Sequence, residues 1–338
     1  VTALVRDPIR LPDRPGGRPP AAGAASLALR PLLDPPRRAA RVIAVFPAAL
    51  YLEMRGGGPG GRREPRVLAV VTSDAGRLPN AVVVVAHRRE HPFRSVREGA
   101  DAFVGDGRIE AEGLNVRVRR WWDPSPVLGA MQPASLSRGI RALEAELTAA
   151  GALTAEGPSG GGLAGHPDPD ALAASCAAGD LAGAVEAAER IVGLGPGLTP
   201  SGDDILCGLL AALRLVGGAV RHGDAAVGLA DWLGAAVTAD AGTRTTALAA
   251  TLLHCAAAGQ AGAEVTAVLR CVAGHEPPQA AVRRLLAVGH TSGADLAHGV
   301  LAGCRAALAL SASAYLRVQH LQVPRIPVQH LHTPRATA

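Results

Sequence analysis

The apolar pattern of this chain changes period once, near Pro124, and that change restricts the fold more than any other feature. From Val42 to about Trp122, short runs rich in Val, Ile and Leu alternate with turn residues: RVIAVFPAALYLEM, PRVLAVVT, NAVVVVAH and DAFVGDGRIEAEGLNVRVRRWW. Such runs, broken by pairs like Asp106-Gly107 and Glu112-Gly113, are strands joined by tight turns. After the Pro-rich stretch 124–133 the apolar residues recur at helical spacing. This predicts helices at 134–150, 169–178, 180–192, 201–216, 224–239, 244–258, 262–273, 278–287 and 292–314. The expected class is α+β. An N-terminal β-rich domain at 41–125, an antiparallel sheet or barrel, precedes an all-helical domain at 126–316. Residues 1–40, rich in Arg and Pro, and 317–338 read as a flexible arm and tail. The Gly-rich segment 157–168 reads as a mobile loop beside the helical domain or a lid over it.

Composition narrows the function classes. Only 2% of the 338 residues are aromatic, while 41 are Gly. That favours helices packed through small side chains and argues against stacking platforms for bases. The formal charge is +5. Eight Arg against three Asp in residues 1–41, and three more Arg from Arg317 onward, leave the body between at −3. No nucleic-acid groove is therefore expected. Five Cys lie in Ala/Leu-rich text without CxxC spacing and read as small buried hydrophobes of a reducing cytoplasm. The N-terminal residues show no apolar leader. The longest apolar stretch, Ile205 to Val216, is too short for a bilayer, so no membrane partner is expected.

Two segments carry chemical information. The first, GLGPGLTPSGDD at 193–204, lies between two helices. In it Gly195, Gly197 and Thr199 shape an ordered loop, Ser201 is placed to cap the next helix, and Asp203 and Asp204 fall in its first turn. The second, GHTSGAD at 289–295, aligns with it without a gap: Ser201 with Ser292, Gly202 with Gly293, Asp204 with Asp295 and Gly208 with Gly299. Two related helix-loop-helix units follow, packed about a pseudo-twofold axis, with two helix N-termini able to attract an anion. Thr291 and His290 stand beside the second start, His290 as a proton carrier or ligand donor. A third cluster, GTRTT at 242–246, combines Arg244 with Thr245 and Thr246, a guanidinium fork matched to phosphate or carboxylate. A P-loop is excluded because its Lys is absent. The plainer alternative is that Ser201 and Ser292 are caps, Arg244 is an exposed helix-start residue, and the duplication serves packing.

These two loop motifs, with the β-rich half ending RRWWDP, resemble the AllH family of oxamate carbamoyltransferase subunits, over about residues 40–310. The resemblance implies a part in oxalurate + phosphate ⇌ oxamate + carbamoyl phosphate, in anaerobic allantoin breakdown, with partner carbamoyltransferase subunits. No redox or organic cofactor is implied, and Mg²⁺ is not required. On this reading His290, Asp204 and Asp295 are the catalytic candidates. Gly195, Gly197, Thr199, Ser201, Gly202, Asp203, Arg244, Thr245, Thr246, Thr291, Ser292 and Gly293 surround phosphate or small organic anions. Two competing expectations are a non-catalytic anion-binding or scaffold subunit, and a phosphoryl-transfer enzyme holding Mg²⁺ on Asp203 and Asp204.

Overall fold

A computed structural model describes residues 20–56, 66–153, 160–163 and 165–321. The chain divides into two compact units between Asp123 and Pro124, where the apolar period changes.

The first unit is a closed barrel of eight strands: β1 Ala21–Ser26, β2 Arg38–Val45, β3 Ala49–Met54, β4 Val67–Val71, β5 Ala81–Val84, β6 Asp101–Gly105, β7 Arg108–Ala111 and β8 Leu114–Trp122. Around the barrel the order is β1-β5-β4-β3-β2-β6-β7-β8. Most neighbours are antiparallel, but β4 with β5 and β1 with β8 are parallel, so the barrel is mixed. Alternation places Val42, Leu50, Leu52 and Met54 in one core with Val82 and Ile109. Strand β4 is buried along its whole length because Tyr51, Ala75 and Leu78 cover a second, smaller cluster around Ala69 and Val71. The Asp106-Gly107 hairpin takes positive φ at both positions, 51° and 66°, as a tight two-residue turn requires.

The expected arm at 1–40 is wrong in its second half. Residues 20–40 contribute β1, a short helix α1 (Arg30–Leu33) and the start of β2; residues 1–19 lie outside the described residues. The strand was hidden because AAGAAS has no β-branched or aromatic residue, and Pro and Arg around it suggest disorder. Its smallness is used: a Cβ on Gly23 would lie 2.9 Å from Val116 Cγ1 and 3.0 Å from Val82 Cγ1 on the flanking strands. The charge partition changes as well. Arg30, Arg37, Arg38 and Arg41 belong to the barrel unit, whose residues 20–123 hold 17 Arg against 11 acidic residues. The folded body is thus a basic barrel unit and an acidic helical unit, not one mildly acidic whole.

The second unit contains α2 Pro133–Ala149, α3 Pro167–Ala178, α4 Leu181–Ile191, α5 Ser201–Ala219, α6 Asp224–Thr238, α7 Ala241–Arg244, α8 Ala247–Ala257, α9 Ala263–Val272, α10 Pro278–Leu286 and α11 Ser292–Leu321. The expected tail therefore begins as helix, and residues beyond Leu321 lie outside the described residues. Ile205 to Val216 is not the longest apolar stretch. Ser292–Leu316 of α11 is long and apolar enough to cross a membrane, but more than half of it is buried within this unit. All five Cys are free and buried, as small hydrophobes would be.

Helices α5 and α11 form the spine of the unit and advance together from their N-terminal ends. At their crossing a Cβ on Gly208 would lie 2.3 Å from the Leu296 carbonyl oxygen, and one on Gly299 would lie 2.0 Å from that of Ile205. Each glycine thus lets the other helix's backbone in. A parallel match lies six residues earlier in each helix: Gly202 packs on the Ile191 carbonyl at the end of α4, and Gly293 on the Leu285 carbonyl near the end of α10. The ungapped sequence match is a match in packing.

Candidate functional site

The starts of α5 and α11 come together although 93 positions separate the residues that join them: Thr199 Oγ1 lies 3.2 Å from Ser292 Oγ. In both loops a glycine with positive φ, Gly195 at 120° and Gly289 at 61°, folds against the serine that opens the helix. Gly197, also at positive φ, faces open space.

The hydroxyls do not act as the sequence suggests. Pro200, not Ser201, occupies the N-cap of α5, and no side chain caps that end. Ser201 is buried in the first turn, and its hydroxyl acts on Asp295 of the other helix, while Ser292 acts on Asp204. The two helix starts therefore exchange partners. Most helix-start amides are already satisfied: Gly202 donates to the Leu194 carbonyl, Asp203 and Asp204 to Pro200, Gly293 to Val288, and Ala294 and Asp295 to Thr291. Groups left facing the junction are the hydroxyls of Thr199, Ser201, Thr291 and Ser292 and the two central carboxyls.

Those carboxyls are buried, Asp204 at 4% and Asp295 at 1% exposure. The Oδ2 of each makes no hydrogen bond among the described residues. Burial pushes the Asp204 carboxyl up to about 7; the nearby Asp295 adds to the rise, and the hydroxyls of Ser292 and Thr199 oppose it. Burial also raises Asp295, against the hydroxyls of Ser201 and Thr291 and the amides of Gly162 and Leu163.

Asp203 faces the other way. Its Oδ1 accepts from the Gly193 amide at 3.0 Å and its Oδ2 from the Thr245 hydroxyl, which pins the first loop to the turn before α8. Thr246 strengthens that link by donating to the Leu198 carbonyl at 2.5 Å while it caps α8. Arg244 leaves the site: its Nη2 donates to the Glu189 carbonyl near the end of α4, and Asp240 lies 3.9 Å from its Nη1. The third cluster is thus a brace behind the first loop, and Asp203 is not placed to share a cation with Asp204. His290 is exposed and makes no hydrogen bond among the described residues.

Sequence reasoning missed the segment 160–163 and the side chains of His166, Asp170 and His298. Residues 160–163 lie directly on the junction: a Cβ on Gly161 would be 2.4 Å from Asp295 Oδ1, and one on Gly162 2.2 Å from Ser201 Oγ. Only a glycine pair passes there, which places part of the segment read as a loop or lid; residues 157–159 and 164 of it lie outside the described residues. A cavity of about 90 Å³ opens beside Asp295, lined also by His166, Asp170 and His298. The signal for His298 was its position three residues after Asp295, on the same helix face.

No curated protein and no solved structure matches the chain. Residues 191–304, from the last residue of α4 to the middle of α11, match the family model described as oxamate carbamoyltransferase subunit AllH. The matched stretch contains both helix starts, the brace between them and the Gly208–Gly299 crossing, and over these residues, about a third of the chain, the protein is similar to the AllH family.

Proposed function

We propose that the chain is a carbamoyltransferase subunit that works with partner subunits on oxalurate, phosphate, oxamate and carbamoyl phosphate, in the cytoplasm and in purine breakdown by way of allantoin. The observation that carries this reading is the junction itself. The segment shared with the AllH family folds so that its two loops meet at Thr199 and Ser292. Four hydroxyls and two carboxyls face one another there.

The chemistry asks for such a set. A phosphate oxygen forms a bond to the carbamoyl carbon, the bond from that carbon to the oxamate nitrogen breaks, and that nitrogen takes up a proton. Charge developing on the carbonyl oxygen calls for positioned donors, and once Asp204 carries its own proton the hydroxyls of Ser292 and Thr199 are released to serve as such. A carboxyl lifted to about 7, as Asp204 is, suits proton transfer at neutral pH. Its protonated form also lets a dianion approach without repulsion. Phosphate should therefore bind more tightly as pH falls below about 7.

A scaffold reading is favoured by one observation: the helix-start amides that would cradle an anion are largely bonded within the chain. Calorimetric titration of the full chain, alone and with partner subunits, with phosphate, carbamoyl phosphate and oxamate separates the two. Oxalurate phosphorolysis is assayed in parallel. Binding that strengthens toward acid pH, together with phosphorolysis that Asp204→Asn abolishes, supports the enzyme reading. Absence of binding in both states supports the scaffold.

A further inference from the structure

The cavity beside Asp295 has a chemistry distinct from the hydroxyl-rich junction. Its walls come from Leu153, from Gly161, Leu163 and Gly165, from the start of α3, from Ile205 and from the first two turns of α11. The polar groups lining it are the side chains of Asp295, His298, Asp170 and His166. Two carboxyls and two imidazoles line it with no Arg among them, so the cavity favours a ligand that donates hydrogens over an anion such as phosphate. Asp295 is 1% exposed, and its Oδ2 has no hydrogen-bond partner among the described residues, an expensive state for a buried acceptor unless a further group meets it.

His298 lies one turn along the same helix face. Burial holds its imidazole below the ordinary value, against the pull of Asp170 and Asp295, so the ring is neutral at pH 7 and keeps one N–H to donate. A carboxylate acceptor beside an imidazole donor is the complement of a primary amide, whose N–H and C=O point side by side. Among the described residues no group of three or more His, Cys, Asp or Glu side chains is gathered to hold a metal ion. At about 90 Å³ the space admits the three heavy atoms of a carbamoyl group.

We propose that this cavity receives the –CO–NH2 end of a carbamoyl- or oxamoyl-bearing ligand, with Asp295 accepting from its nitrogen and His298 donating to its carbonyl oxygen. The proposal rests on the carbamoyltransferase reading and adds to it a division of labour: hydroxyls of the junction for the anionic end, the cavity for the amide end.

The test is titration of the full chain with oxamate and with N,N-dimethyloxamate, which has the same charge but no N–H. Affinity is read by calorimetry and the His298 ring signals by NMR. The expected results are a preference of about tenfold or more for oxamate, the worth of one hydrogen bond to a carboxylate, and a shift of the His298 signals with oxamate alone. His298→Phe, which removes the donor and fills the space, should erase the preference while phosphate still binds. If that variant does not fold, the comparison of the two ligands on the unaltered chain stands by itself. Equal affinities, shifts confined to residues 193–199, no binding, or displacement of oxamate by ammonium ion would each overturn the proposal. Phosphorolysis assayed with partner subunits keeps the two readings apart. No preference with phosphorolysis intact rejects the amide pocket alone, and a preference without phosphorolysis rejects the carbamoyltransferase assignment alone.

Discussion

The starts of α5 and α11 share a sequence but have been put to different uses. Both open with Ser-Gly-x-Asp, both place a glycine on the carbonyl of the preceding helix, and both lend a hydroxyl to the other's carboxyl. They differ where the pattern is free to vary. The α5 copy has Asp203, which ties its loop to the α8 turn, and Cys207, buried beside Asp204. The α11 copy has Ala294 and His298 at those places, and there a polar cavity opens. One start is braced and closed; the other is left able to receive something. What the duplication preserves is the crossing, and the chemistry was built into the positions the crossing does not use.

The crossing gives the largest expected effect. Gly208→Ala and Gly299→Ala each force a Cβ onto the other helix's backbone, which cannot yield without parting the spine. Each should cost about 3 kcal/mol or more, as overpacking a tight contact does. Gly218→Ala, in the last turn of the same helix with nothing within 4 Å of the new Cβ, is the internal control and should stabilise by up to about 1 kcal/mol. Equal melting temperatures for the Gly208→Ala and Gly218→Ala chains would mean that the helices are not in register as described.

The central carboxyls come next. Asp204 keeps its proton up to about pH 7 in the folded chain, whereas the unfolded chain releases it near the ordinary 3.8. Between those values the native state binds more protons than the unfolded one, so stability falls as pH rises and levels off above about 7. Asp204→Asn removes that penalty. It should gain on the order of 2–4 kcal/mol over the original chain at pH 8 and little at pH 4, by denaturant melts at the two pH values. Some slope remains in the variant, since burial raises Asp203 and Asp295 in the same direction. A variant less stable at pH 8 than at pH 4, relative to the original, contradicts the buried assignment.

The adjacent residue should respond oppositely. Asp203→Ala leaves the Gly193 amide and the Thr245 hydroxyl without their acceptor and frees the first loop from its brace. A loss of about 2 kcal/mol follows from two orphaned donors near a buried site. Faster amide exchange at residues 193–199, with 289–291 unchanged, would locate the loss in the braced copy. If both loops loosen together, the brace supports the junction and not one loop.

How much of this could be read in the residues depends on how local each feature is. Helix starts are local, and both were legible from Ser-Gly-x-Asp. The Asp106-Gly107 turn was legible for the same reason, since two adjacent positive φ values need these residue types. Gly208 and Gly299 were also matched, yet in a chain with 41 Gly nothing marks a glycine as a crossing point until the partner helix is seen. Direction is not local either. The same text that makes Ser201 a plausible cap lets its hydroxyl serve Asp295, and Arg244 turns to the Glu189 carbonyl though its neighbour Thr245 reaches Asp203. Strand β1 was illegible because its pairing, not its composition, makes it a strand.

The smallest effect bears most directly on whether the two starts form one site. Thr199 and Ser292 make the direct contact between the loops, and Thr199→Val keeps the shape while removing the hydroxyl. A single partly buried hydrogen bond between neutral groups is worth about 1 kcal/mol, so the melting temperature should fall by only a few degrees. Its second consequence is electrical. The Thr199 hydroxyl opposes the rise of the Asp204 carboxyl, so its loss should move that group's titration further up, not down. An infrared titration of the carboxyl band near pH 7, with Asp204→Asn as the blank, reads this shift apart from stability. An upward shift with a small loss of stability means that the two loops share one electrostatic site. An unchanged titration would leave two neighbouring helix starts that touch without acting on each other, and the proposed division of labour between them would lose its basis.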